Sequence, residues 1–186
     1  MTPTEQFIRQ VRARSTENKK AIRLLHSEHL SAQIVAILRQ ELDSLVRVIY
    51  ILSARDRSRR AELIVASVEG RKWKRVGSNK TVTDREMVDL AQQLHGWTQS
   101  VYRFGCAFIH LSSFHDYHHR DPMAAIHADE RTAILQHMRH YHGGPANNSP
   151  SFQDLVPFLP NVFEKISSNL ECYLEMLANN EDIDNH

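Results

Sequence analysis

Apolar side chains recur along this chain at steps of three and four residues, the period of a helix with one buried face. The clearest early run covers residues 31–54, where Ile34, Ile37, Leu38, Leu42, Leu45, Val46, Ile49 and Leu52 repeat at that spacing behind a starting Ser31. Gln33, Arg39, Gln40, Asp43 and Arg47 occupy the other side, so one face of this helix is expected to meet water or a partner. Ahead of it, residues 4–14 place Phe7, Ile8 and Val11 on one stripe with Thr4 as the cap. Ser15-Thr16 then either breaks this stripe or caps a continuation through Ile22, Leu24 and Leu25. A further helix is predicted over 57–68, ending near Gly70, and a basic loop over 71–80 with a small hairpin (72–76 with 80–83) as its alternative.

The longest pattern starts at Thr83, which with Glu86 forms a capping box. Met87, Leu90, Leu94, Trp97, Val101, Phe104, Phe108 and Leu111 follow in alternating steps of three and four. The bulk of these residues predicts a long helix over about 83–115 that crosses the centre of the core, or else a dimer seam. Beyond a loop at 115–127, residues 128–141 form another helix, Gly143-Gly144-Pro145 and the 147–150 stretch break the chain, and a last helix runs over about 151–178, disturbed early by Pro157 and Pro160. The expectation is one all-α domain over residues 1–186, a bundle of five to seven helices.

Composition supports this. Only 6 Gly and 6 Pro are present, too few for the many turns of a sandwich or barrel. No apolar run approaches the roughly 18 residues of a membrane span. The first 15 residues carry Glu5, Arg9, Arg12 and Arg14 and no apolar signal segment, which points to the cytoplasm. Cys106 and Cys172 lie far apart in helical patterns and read as buried thiols. Net charge is +1, so no global basic field announces a nucleic-acid binder, although nine Lys and Arg crowd residues 55–80. Such a run ordinarily means a solvated helix end and loop.

Two features suggest chemistry. Arg103 and His110 stand two helical turns apart and are expected to point the same way, beside Gln99 and Cys106. A guanidinium can hold a phosphate and the charge that grows on it, and an imidazole can move a proton near neutral pH. RNA supplies its own nucleophile, the 2′-hydroxyl, so no cofactor is required. The competing reading is an Arg paired at the helix surface and a His hydrogen-bonded at the core edge. The segment Arg103-Phe-Gly-Cys-Ala-Phe-Ile-His110 resembles the R-x(4–6)-H signature of HEPN domains, with an acidic helix (Glu41, Asp43) ahead of it. That resemblance implies a helical bundle with its core at about 30–142 and the last helix as an addition. It also implies a homodimer lining a shared cleft, a metal-independent endoribonuclease with Arg103 and His110 as catalytic residues, and an antitoxin as a partner. Phe104 departs from the polar residue that active members commonly carry after the Arg.

Eight of the 12 histidines fall between 110 and 142. His115, His118 and His119 are candidate metal ligands, and the pair His137-x2-His140 has a spacing that can meet one ion on a helix. The bland reading is a polar, titrating surface. Alternatively the segment lines an RNA groove, with Gln99 and Arg120 binding and Tyr117 stacking a base; Tyr102 and Tyr141 belong to the same reading. Three functions therefore stand open from the sequence: a ribonuclease, a non-catalytic interaction protein, and a metal-binding bundle.

Overall fold

The computed structural model describes residues 1–183. Among them are seven helices of twelve residues or more: α1 (Pro3–Ser27), α2 (Ser31–Ser53), α3 (Arg57–Val68), α4 (Asp84–His95), α5 (Thr98–Ile109), α7 (Ala128–His142) and α9 (Leu159–Ala178). Two four-residue helices, α6 (Pro122–Ala125) and α8 (Phe152–Leu155), and two 3-10 turns complete the set. The all-α bundle is as the periodicity predicts. No helix among the described residues is long and apolar enough to cross a membrane.

The centre belongs to α2. Ile34, Leu42, Leu45, Val46, Val48, Ile49 and Ile51 have no exposed surface, and α1, α3, α4, α5 and α9 all pack on this helix. The face expected to be wet is covered only in part: Arg39 is buried and Asp43 and Arg47 are half-buried, whereas Gln33 and Gln40 remain exposed. Glu41 is fully buried and accepts hydrogen bonds from Asn18 Nδ2 at 2.8 Å and from Ser15 Oγ. Arg39 is buried beneath the Tyr102 ring, 4.4 Å from its centroid, and reaches Asp84 at 3.3 Å. Asp84 opens α4, where a carboxylate also suits the helix N-terminus, and it takes Arg47 at 3.2 Å as well.

The 83–115 pattern divides. Gly96 adopts φ 71° and closes α4 in the left-handed conformation, so the chain turns and restarts at Thr98 as α5. The three-four spacing survives the turn because Trp97 packs back into the core, where Met87 and Val88 of α4 are also buried. Residues 3–27, by contrast, are one helix. Its cap is Thr2 rather than Thr4, in a capping box with Glu5. Ser15 does not break it, because its hydroxyl is spent on Glu41, and Thr16 bonds back to the Arg12 carbonyl at 2.8 Å. Helix α2 takes Leu30 as its cap and Ser31 as its first residue.

The basic stretch is largely consumed by the fold. Arg60 is buried and donates to the Leu52 and Ala54 carbonyls at the end of α2 and to Asp182. Arg57, Arg59, Arg71 and Arg75 pair with Asp182, Glu62, Glu69 and Glu86. The hairpin alternative survives as a single antiparallel bridge, Lys74 with Thr81. The last helix is not an appendage: Ile166, Leu170 and Leu174 of α9 are buried against α2. Nor are both thiols buried, for Cys106 is half-buried and Cys172 is exposed on the outer face of α9.

Two outcomes test this packing. A Cβ on Gly105 would sit 2.7 Å from Arg39 Cβ, where α5 presses on α2. Gly to Ala in a helix ordinarily gains about 1 kcal/mol. Here Gly105→Ala is expected to lose about 1–3 kcal/mol in urea denaturation, the cost of overpacking. Glu86 is held at about 2, first by the Arg75 guanidinium and then by the Thr83 amide and hydroxyl. Because this folded value lies below the ordinary one, its stabilising effect is complete above the ordinary carboxylate range and disappears as pH falls through about 2. Carboxyl-resolved NMR titration should show that low midpoint and its rise in Arg75→Ala.

Candidate functional site

Helix α5 runs from Thr98 to Ile109 and carries two kinds of surface. Phe104 and Phe108 turn inward, where they join Phe152 and Phe114 in an aromatic cluster with centroid separations of 5.2–5.8 Å. Arg103 turns outward. Its side chain keeps 58% of its surface in water, and its nearest acidic partner is Glu130 on α7 at 3.8 Å. That separation lies beyond hydrogen-bond length, so the guanidinium is screened rather than clamped.

His110 is exposed, but it does not continue the helix. Its backbone is extended, φ −90° and ψ 137°, while its N–H still donates to the Cys106 carbonyl as the last bond of α5. The two-turn register expected between Arg103 and His110 therefore stops one residue short, and the direction of the imidazole is set by the chain leaving the helix. Ile109 and Leu111 flank it with 47% and 93% of their surface exposed.

The other residues expected at this site separate. Gln99 donates from its side-chain amide to Asp89 at 2.8 Å and ties α5 to α4. Tyr117 is half-buried among Phe108, Phe152 and His118, so its ring packs the core edge and is not free to stack a base. Arg120 is exposed beside a shallow cleft formed with Ser113, Phe114 and Pro122. Tyr102 lies over the Arg39 guanidinium. Glu41 and Asp43 are structural: Asp43 accepts from Arg47 at 3.0 Å and faces Arg14 at 3.7 Å.

The proposed metal ligands take separate partners. His115 Nδ1 accepts from the Ser112 amide at 3.3 Å, His119 meets Asp116 at 3.0 Å, and His118 lies on Tyr117 at 4.2 Å between centroids. Among the described residues, no three His, Cys, Asp or Glu side chains come together as an ion would require.

The second half of the histidine segment forms a different cluster. His137 and His142 on α7 face α9, where Lys165 lies 5.1 Å from the centre of the Tyr141 ring. On the α4 side His95 meets the Tyr173 hydroxyl at 3.0 Å. Burial pushes all three imidazoles below their ordinary range. Lys165 adds to this at His95 and His142, and His140 adds to it at His137. The density of histidines announced this cluster; Lys165 and His95, distant in sequence, gave no signal of joining it.

Each of these histidines binds its proton less well folded than unfolded. Their contribution to stability is therefore complete above the ordinary imidazole pKa of about 6.5 and is lost as pH falls below it toward the lowered folded values. Imidazole-resolved NMR titration should show depressed midpoints at His95, His137 and His142, with His95 and His142 rising in Lys165→Gln. Comparison with protein-family models, curated proteins and solved structures returns no match for this chain.

Proposed function

We propose that this chain is a HEPN-like helical bundle that cleaves RNA as a homodimer, without a metal, using Arg103 and His110. The observation that carries the reading is the exposure of Arg103, midway along α5, and of His110, just past its C-terminal end beside the bare Ile109 and Leu111. Those aliphatic side chains give a second copy something to cover. Two copies meeting there would bring two arginines and two imidazoles to one cleft.

The chemistry follows from these groups. The RNA 2′-hydroxyl attacks the adjacent phosphorus while one imidazole takes its proton. The bond from phosphorus to the 5′-oxygen breaks, and a second imidazole protonates that leaving oxygen. The products are a 2′,3′-cyclic phosphate and a 5′-hydroxyl. Arg103 stabilises the charge that develops on the phosphoryl oxygens. Glu130 does not prevent this. An exposed ion pair is worth only about 0–1 kcal/mol, whereas a phosphate accepts stronger, bidentate hydrogen bonds from a guanidinium.

A second reading has its own support. His110 leaves the helical register of Arg103, and Arg103 already has an acidic neighbour, as in a non-catalytic protein that uses this surface for binding alone. One assay separates the two. Wild-type protein incubated with single-stranded RNA in a chelator should yield cyclic-phosphate ends. His110→Ala and Arg103→Ala should each lose about a hundredfold or more, the usual size of a general acid–base or electrostatic contribution. Cleavage that persists equally in both variants removes the nuclease and leaves the binding protein.

A further inference from the structure

Helices α5, α7 and α9 do not close completely on one another. Val101 and Phe104 of α5, Ile134 and Met138 of α7, and Val162 and Ile166 of α9 surround a cavity of about 80 Å3. Protein interiors seldom keep voids larger than a water molecule, because each missing contact costs dispersion energy. This void is several times that size, and its walls are almost wholly hydrocarbon, so water gains little by entering it.

The lining is not all apolar: His137, Tyr141 and His142 of α7 and Lys165 of α9 also border the cavity. Among the described residues Lys165 has no carboxylate partner; it rests on the Tyr141 ring. His137 Nδ1 is buried without a hydrogen-bond partner. A cation without a carboxylate partner and an unpartnered ring nitrogen, both bordering an apolar cavity, together suit an anion with a short apolar tail.

We propose that this cavity binds a short-chain aliphatic carboxylate, with its tail between α5, α7 and α9 and its carboxylate among Lys165, His142 and His137. The volume limits the tail. An engineered cavity of about 150 Å3 holds benzene, so about half that space fits a chain of roughly three carbons. The charge selects a carboxylate over an alcohol. A ligand this small reaches a Kd on the order of 1 mM, within the ceiling for each non-hydrogen atom.

Butyrate, 1-butanol and acetate distinguish the parts of this claim when each is titrated into the full chain under methyl-detected NMR. Butyrate should shift the methyl resonances of Val101, Ile134 and Ile166 and saturate. Acetate, lacking the tail, should leave them in place, and butanol, lacking the charge, should bind about tenfold more weakly. Lys165→Gln, on the half-buried rim, should weaken butyrate about tenfold and leave butanol unchanged. Val162→Phe should fill the chamber and abolish the butyrate shifts. If that variant fails to fold, Lys165→Gln and the two control ligands decide the matter in folded protein. The proposal is overturned if butyrate moves no cavity methyl, if acetate or butanol matches it, or if Lys165→Gln binds butyrate as wild type does.

Discussion

A central helix that carries charged side chains into the core imposes its terms on everything around it, and α2 is that helix. Its apolar residues would accept many arrangements of neighbours, since hydrocarbon packing is tolerant of register. Its polar residues accept few. Glu41 inside the core requires donors, and Ser15 and Asn18 supply them only when α1 lies at one height. Arg39 requires a carboxylate and a ring, and Asp84 and Tyr102 meet it only when α4 and α5 are both seated. Gly105 then allows α5 to approach the Arg39 stem closely. Breaking one side of such a buried pairing costs far more than the pairing itself yields, so these contacts act as registers.

Much of this was legible in the chain, for reasons that differ by element. The α2 pattern is so regular that its limits follow from periodicity, yet periodicity cannot say whether a polar face meets water or a neighbour's side chain. That is why Arg39 reads as wet and turns out buried. The 83–115 seam misleads for another reason. A helix that ends at Gly96 and restarts at Thr98 keeps its apolar spacing when both halves face the same core. The stop was nonetheless written locally, with His95 in the last turn and glycine directly after it, the usual chemistry of a helix C-terminus. At the candidate site, the exposure of Arg103 followed from its place opposite Phe104 and Phe108. Its acidic neighbour on α7 did not, because only the folded chain brings Glu130 near.

On the reading proposed above, Arg103, midway along α5, is the object of a competition between a carboxylate of the chain and a phosphodiester. A carboxylate at 3.8 Å holds it weakly, since the separation exceeds hydrogen-bond length and solvent around the exposed guanidinium screens the charge. A phosphodiester offers oxygens spaced for two parallel hydrogen bonds. The exposed Leu111 and Ile109 tilt the balance further wherever a second surface covers them. Excluding water lowers the local dielectric and strengthens whichever charge pairing remains inside.

The same two helices that frame this surface also frame the cavity. Arg103 on α5 faces Glu130 on α7 at the outside, while the next residue along α5, Phe104, and the next turn of α7, Ile134, face the chamber within. Outside and inside are therefore two faces of one helix pair. The weak outer ion pair and the incomplete inner packing both lie between α5 and α7, in contrast to the seam between α5 and α2, where Gly105 brings the two helices so close that an added Cβ would stand 2.7 Å from Arg39 Cβ. On the readings proposed above, a molecule that fills the inner space and a phosphate that displaces Glu130 from Arg103 would act on the separation of these two helices. An energetic link between the two sites would run through that separation, because the close contact of Gly105 with Arg39 leaves α5 less room to shift on its α2 side.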